Sequence, residues 1–170
     1  RSPSRGLGDV YKRQTVILKP AEWSPLSASL LADLVDEAGF PPGVINVVQG
    51  TGEEVGAALV ADRRVRRISF TGSPEAARDI GAAAAANIVP FTAELGGKGA
   101  LVVCADADLD AAAATAAGQY DDSGQVCLAG TRLLVDESIA DQFLERVHAH
   151  TDAHVLGDSR DDTTTVTPLI

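Results

Sequence analysis

The chain has 170 residues, 45% of them hydrophobic and 22% charged, with a formal net charge of −10. That balance is ordinary for a globular chain, and it argues against a nucleic-acid binder, which leaves a basic footprint, and against adhesion to anionic membranes. No apolar run approaches the roughly 18 residues a membrane span needs, no apolar signal core opens the chain, and the two cysteines, Cys104 and Cys127, do not make a disulfide framework, so the expected setting is a reducing cytoplasm.

The chain contains no methionine and opens at Arg1, which reads as an internal part of a longer protein. Residues 1–14, RSPSRGLGDVYKRQ, are basic, aperiodic and poor in alanine; they are expected to be foreign to the fold, with a natural basic arm as the alternative. From Thr15 onward apolar runs alternate with amphipathic ones. TVILK, 15–19, predicts a buried strand. The stretch 23–39 predicts a helix with Ser24 as N-cap, Pro25 in the first helical position and Gly39 at the C-terminal end. A Pro-Pro-Gly turn then leads into a strand at 44–48, and the turn QGTGEEVG opens a second helix with Glu53 and Glu54 in its first turn, where the dipole favours acids. A strand at 67–72 and a helix at 73–87, again with a Ser-Pro start, come next. Short strands at 90–95 and 100–104, a helix at 106–118, a strand at 131–135 and a helix at 138–150 complete the order. Strands alternating with helices of this length predict an α/β fold with a parallel sheet and right-handed crossovers.

In open parallel sheets ligands bind beyond the carboxyl ends of strands, and three such ends carry suggestive residues. Lys19 closes the first strand and leads through Pro20 and Ala21 to Glu22. Lysine neutralises phosphate or donates to a ribose hydroxyl; a carboxylate accepts from a ribose 2′-OH and repels a 2′-phosphate. Surface Lys and Glu are also common with no ligand. Gly50, Gly52 and Gly56 cluster between a strand and a helix without the standard dinucleotide spacing, so a tight turn and a ligand contact both stay open. In FTGSPE, Gly72 permits close approach and Ser73 caps a helix whose terminal N–H groups suit a pyrophosphate, or else this is simply a well-capped helix. Glu94 ends a later strand beside Gly96 and Gly97, as a general base at a bend or as an exposed loop acid. Cys127 follows SGQV and, taken alone, reads as inert core sooner than as a nucleophile. No metal site is expected.

Read jointly, LKPAE, EAGFPPGVINVVQGTGEEVG, ISFTGS, ELGGK, GQVC, AGTRLLV and the terminal PLI resemble the aldehyde dehydrogenase superfamily, in family order, over about Thr15 to Ile170. ELGGK followed by GQxC is the most specific part. The resemblance implies a Rossmann-like parallel cofactor-binding sheet, residues 15–93, followed by part of an α/β catalytic domain, 94–170, truncated at both ends. It implies that Cys127 attacks an aldehyde to form a thiohemiacetal, that hydride passes to a nicotinamide, and that Glu94 activates the water that hydrolyses the thioester. A thiolate and a carboxylate suit those tasks. It places Lys19 and Glu22 at the adenosine ribose, Ser73 and its helix near the pyrophosphate, and Leu95 and Gly96 near the nicotinamide, with Pro20, Ala21, Gly52 and Gly72 also among the cofactor-binding residues. Glu22 favours NAD over NADP. The partners implied are an aldehyde substrate and further copies of the whole enzyme, as a homo-oligomer. A non-catalytic cofactor-binding member and a CoA-acylating relative are the alternatives.

Three positions depart from the family pattern. Ala77 stands where FTGSxxxG has its last glycine, Gly99-Ala100 replaces a commoner Ser-Pro pair, and Asp122 stands where the cysteine loop usually has asparagine. An amide donates and accepts, an ionised carboxylate only accepts, and a nearby negative charge disfavours a thiolate. The family's Trp-Asn segment, which supplies an oxyanion donor, and its glutamate segment at the nicotinamide ribose have no counterpart in these residues. Loss of an oxyanion donor costs about 10²- to 10³-fold in rate, so the piece alone is expected to be inactive.

Overall fold

The structure, a computed structural model, describes residues 14–169; of the opening basic segment only Gln14 falls within them. In chain order the elements are β1 (Val16–Leu18), α1 (Leu26–Glu37), β2 (Ile45–Val47), a π-helical turn (Gly52–Gly56) running into α2 (Ala57–Ala61), β3 (Ile68–Gly72), α3 (Pro74–Asn87) and β4 (Phe91–Leu95). There follow β5 (Ala100–Val103), α4 (Leu109–Ala117), a distorted 3₁₀ stretch (Gly118–Gly124), β6 (Arg132–Val135), a 3₁₀ turn (Glu137–Ile139) and α5 (Ala140–Thr151). Among the described residues the strands form three two-stranded pairs, β1–β2, β3–β4 and β5–β6, rather than one continuous sheet. In the chain a helix lies between the strands of each pair, α1, α3 or α4; where the strands are parallel it is a crossover, because neighbouring parallel strands cannot be linked by a tight turn. β1–β2 and β5–β6 are parallel, with Val16 opposite Ile45 and Ala100 opposite Arg132.

The chain divides into two compact units, one running to Ile68 and including Arg78–Phe91, the other made of Ser69–Ala77 and everything from Thr92. In the first unit the predicted cap is displaced. Ser24 makes no cap; Pro25 occupies the N-cap position with helical φ −84° and ψ −17°, and Ser24 N donates to Ala21 O (3.2 Å) in the preceding turn. Ser29 donates both its N and its Oγ to Pro25 O at 3.0 Å, the first of these being the opening bond of the helix. Gly39 ends the helix as read, at φ +74°, with Phe40 N donating to Val35 O (3.2 Å). The buried strand read at TVILK is instead about half exposed, Val16 at 52% and Ile17 at 49%, since β2 alone pairs with it among the described residues. The leucines that gave α1 its amphipathic period are open too, Leu26 at 80% and Leu34 at 58%.

The second unit holds the main core. Phe143 and Val147, one turn apart on α5, pack on Ala113 and Ala116 of α4 and on Val103 of β5. Alanines on α4 let the helices approach closely enough to enclose Phe143 completely (0% exposed). Asp108 caps α4, its Oδ1 accepting from Asp110 N and Ala111 N at 3.1 Å, and Arg146 Nε donates to Asp110 Oδ1 (2.7 Å) at the rim of the same helix pair.

Candidate active site

The loop that carries Cys127 begins where α4 stops. Asp122 (φ 48°, ψ 38°), Ser123 (φ 58°, ψ 29°) and Gly124 (φ 74°) take left-handed backbone in succession. Aspartate and glycine tolerate this region; serine does so less readily. Ser123 is held there by a long-range bond, its Oγ donating to Thr167 O (2.6 Å) and lying 3.1 Å from Thr167 Oγ1. The left-handed run reverses the chain, and Cys127 follows it as an exposed side chain rather than as core.

Glu94, also exposed, stands near the end of β4, with Leu95 half-buried after it. The chain then runs past the cysteine loop. A Cβ added at Gly97 would lie 3.3 Å from Cys127 O, and one at Gly99 3.4 Å from Ala129 O, so glycine permits the approach at both places. Arg132 ties the two segments, donating its N to Gly99 O (3.3 Å) and its Nε to Lys98 O (2.9 Å). Gly96, Gly97, Gly124, Gln125, Val126 and Cys127 line one shallow recess of about 370 Å³. Cys104 lies elsewhere in this unit, in an open groove over β5 and β6 with Val102, Leu133, Leu134 and Asp136.

On the same unit Ser73 Oγ accepts from Ala76 N (3.2 Å) at the start of α3, the cap read from the sequence. A Cβ at Gly72 would come within 2.5 Å of Phe70 Cζ, so the ring tip would have to shift to admit a side chain there. Ala77, the departure from the family's glycine, is buried at 7% exposure on α3, where its methyl group is accommodated.

The remaining predicted residues lie in the first unit. Lys19, at the end of β1, donates its Nζ to Pro20 O (2.7 Å) and Gly50 O (2.8 Å) and sits 3.7 Å from Glu22 Oε2. Two of its donors are thus hydrogen-bonded, and Glu22 is held at ion-pair distance. Pro20 is buried and Ala21 exposed, while the Glu22 side chain is 48% exposed and has further lone pairs toward solvent. Gly52 opens the π-helical turn, which Thr51 Oγ1 caps by accepting from Glu54 N (3.2 Å), and a Cβ there would meet no atom within 4 Å. The resolved acidity changes fall outside the recess: Arg64 holds the Asp62 carboxyl at about 2, and Asp136 and Asp158 are lowered by hydrogen bonds from Ser138 and Arg160. No group of three or more acidic, histidine or cysteine side chains suited to a metal occurs among the described residues.

Two contacts of the cysteine loop escaped the sequence reading. Ser123 gave a partial signal, as part of the turn-forming run Asp-Ser-Gly. Gln119, whose Oε1 accepts from Gly130 N, gave none.

A thiol carried on a short loop against bare glycine backbone, with a carboxylate at the adjoining strand end, suits covalent catalysis through sulfur. Comparison supplies the family: residues 12–170 match the aldehyde dehydrogenase family, and the chain belongs to it. It is 44% identical over 170 residues to a betaine aldehyde dehydrogenase of Cereibacter sphaeroides, an overlap of 99% of this chain and 34% of that protein. Among solved structures, an E. coli NADP dependent enzyme superposes with a TM-score of 0.86 at 39% identity, covering 91% of this chain and 32% of the other. An indole-3-acetaldehyde dehydrogenase complexed with NAD+ superposes at 0.83 with 43% identity, covering 89% and 31%. The chain therefore spans about a third of the length of the relatives it matches. The family is one of NAD(P)-dependent oxidoreductases acting on aldehydes. No helix among the described residues is long and apolar enough to cross a membrane.

Proposed function

We propose that these residues are the cysteine-bearing part of an NAD-dependent aldehyde dehydrogenase that oxidises an aldehyde to a carboxylic acid. The observation that carries the reading is Cys127, exposed and lining a recess with the Gly96-Gly97 backbone two residues beyond Glu94. The Cys127 sulfur attacks the aldehyde carbon, and the glycine backbone leaves room for the tetrahedral adduct. A bound NAD(P) would supply the hydride acceptor for that adduct. The acyl group then rests on Cys127 as a thioester, and Glu94 takes a proton from the water that releases it as acid. Glu94 favours water over CoA as acyl acceptor.

The residues fit a dinucleotide, with one refinement. Lys19 is hydrogen-bonded to Pro20 O and Gly50 O and ion-paired with Glu22, so its role is to hold Glu22, whose half-exposed carboxylate accepts from the ribose hydroxyls. A 2′-phosphate would meet that carboxylate as a like charge, hence NAD rather than NADP. At Ser73, Ala76 N is already satisfied and Pro74 has no N–H, so a pyrophosphate would meet the positive pole of α3 rather than several free donors. Gly52 and Gly72 belong to turns on the cofactor side, and Leu95 and Gly96 border the nicotinamide. Residues 15–93 form the cofactor side and 94–170 the catalytic side of a cytoplasmic homo-oligomer.

The test is Cys127→Ala in a chain extended to the relatives' full length. Aldehyde oxidation falls to background while NAD binding, followed by fluorescence titration, is kept. Turnover that survives the substitution overturns the assignment.

A further inference from the structure

The loop bearing Cys127 is closed at its base by one side chain. Gln119, half-buried just past the end of α4, donates its Nε2 to Thr115 O (2.7 Å), one turn back on the helix. That bond turns its Oε1 outward, where it accepts from Gly130 N. Gly130 is itself seated against β5, since a Cβ there would lie 3.2 Å from Leu101 Cβ. The segment from Gln119 to Gly130 is thus an Ω-type loop whose two ends are held together by an amide, with Cys127 shortly before the closure. Its outer arc docks on the segment after α5, through Ser123 Oγ to Thr167 O (2.6 Å) and through Tyr120, edge-on to His154 with ring centroids 6.2 Å apart.

We propose that Gln119 is a positioning residue for Cys127, the clamp that keeps the loop in its strained left-handed path and the thiol in the glycine-lined recess. The proposal rests on Cys127 being the nucleophile. Asp122 and Ser123 occupy backbone that side chains ordinarily avoid, and such geometry persists only where surrounding contacts over-determine it. Without the clamp the base of the loop opens and those two residues relax. The sulfur then loses its setting while the cofactor side, which Gln119 does not touch, keeps its own.

Gln119→Leu removes the acceptor at similar size, whereas Gln119→Glu keeps an oxygen for Gly130 N and loses only the bond to Thr115 O. In the full-length enzyme, Gln119→Leu lowers kcat by about tenfold, in proportion to the roughly 10²-fold that a displacement of 1 Å costs, with KM for NAD changed less than about twofold. In the same variant, exchange of the Gly130 amide hydrogen accelerates by about tenfold or more. Gln119→Glu restores both the protection and most of kcat. Faster exchange at Gly130 with unchanged kcat, or no recovery in Gln119→Glu, overturns the proposal. Gln119→Met, equally long and without a strong acceptor, is read by the same criteria if the Leu variant fails to fold. Failure of the nucleophile reading looks different: Cys127→Ala then keeps turnover, whereas failure of the clamp alone leaves Cys127→Ala inactive and Gln119→Leu fully active.

Discussion

At Asp122 the backbone is left-handed, φ 48° and ψ 38°, a conformation that asparagine adopts as readily as aspartate. Asp122→Asn therefore removes a charge from the cysteine loop and leaves its path in place. Asp122 and Cys127 are both exposed, so their charges act on each other through water. They are five positions apart in the chain; at a separation of roughly 10 Å in water two unit charges interact by about 0.4 kcal/mol, about a twofold effect on the reactivity of a thiolate. The assay is alkylation of Cys127 by iodoacetamide at pH 7, followed by peptide mass spectrometry, with the exposed Cys104 of the same molecule as internal reference. In about 10 mM salt the asparagine variant reacts about twice as fast at Cys127 and no faster at Cys104. In about 1 M salt, where the screening length is about 3 Å, the difference disappears. Equal rates at low salt refute the reasoning by placing the carboxylate beyond electrostatic reach of the sulfur. A difference that survives high salt refutes it as well, because the substitution would then have changed the loop's shape.

Two further substitutions probe the core and the recess. Phe143, with no exposed surface at the centre of the second unit's core, should cost about 3–5 kcal/mol of unfolding free energy when replaced by alanine, measured by urea denaturation; a loss under about 1 kcal/mol would contradict its place in the packing. Gly97→Ala puts a methyl group 3.3 Å from Cys127 O, which the loop must yield to by a few tenths of an ångström. It should lower kcat in the full-length enzyme by a factor of several, up to about tenfold, and an unchanged kcat would show that the loop shifts without consequence.

Much of the local structure was legible in the sequence. Ser73 precedes α3 and caps it, and Gly39 ends α1 in the left-handed region, because caps and terminations are settled by groups within a few residues of one another. The same locality explains why the order of strands and helices could be read from hydrophobic period alone. Where a local rule failed, a local competitor explains it: at Ser24 the next residue, Pro25, took the N-cap position with helical backbone and left the serine in the turn before it. The chemistry of the proposed site was legible for a different reason. Cys127 and Glu94 taken singly did not stand out; the resemblance of ELGGK followed by GQVC to the family pattern proposed them as nucleophile and base.

The amino-acid sequence alone determined the element order and some of the helix ends, since each depends on composition and spacing along the chain, and its motifs proposed the nucleophile and base by resemblance. Only the tertiary structure decided how the strands pair, which leucines of α1 stay open, and what holds Cys127 in place. Gln119 meets Gly130 across eleven positions and Ser123 meets Thr167 across forty-four. A hydrogen bond over such a span depends on the path of the whole intervening chain, which no local propensity encodes, so the loop around Cys127 became readable only once that path was known.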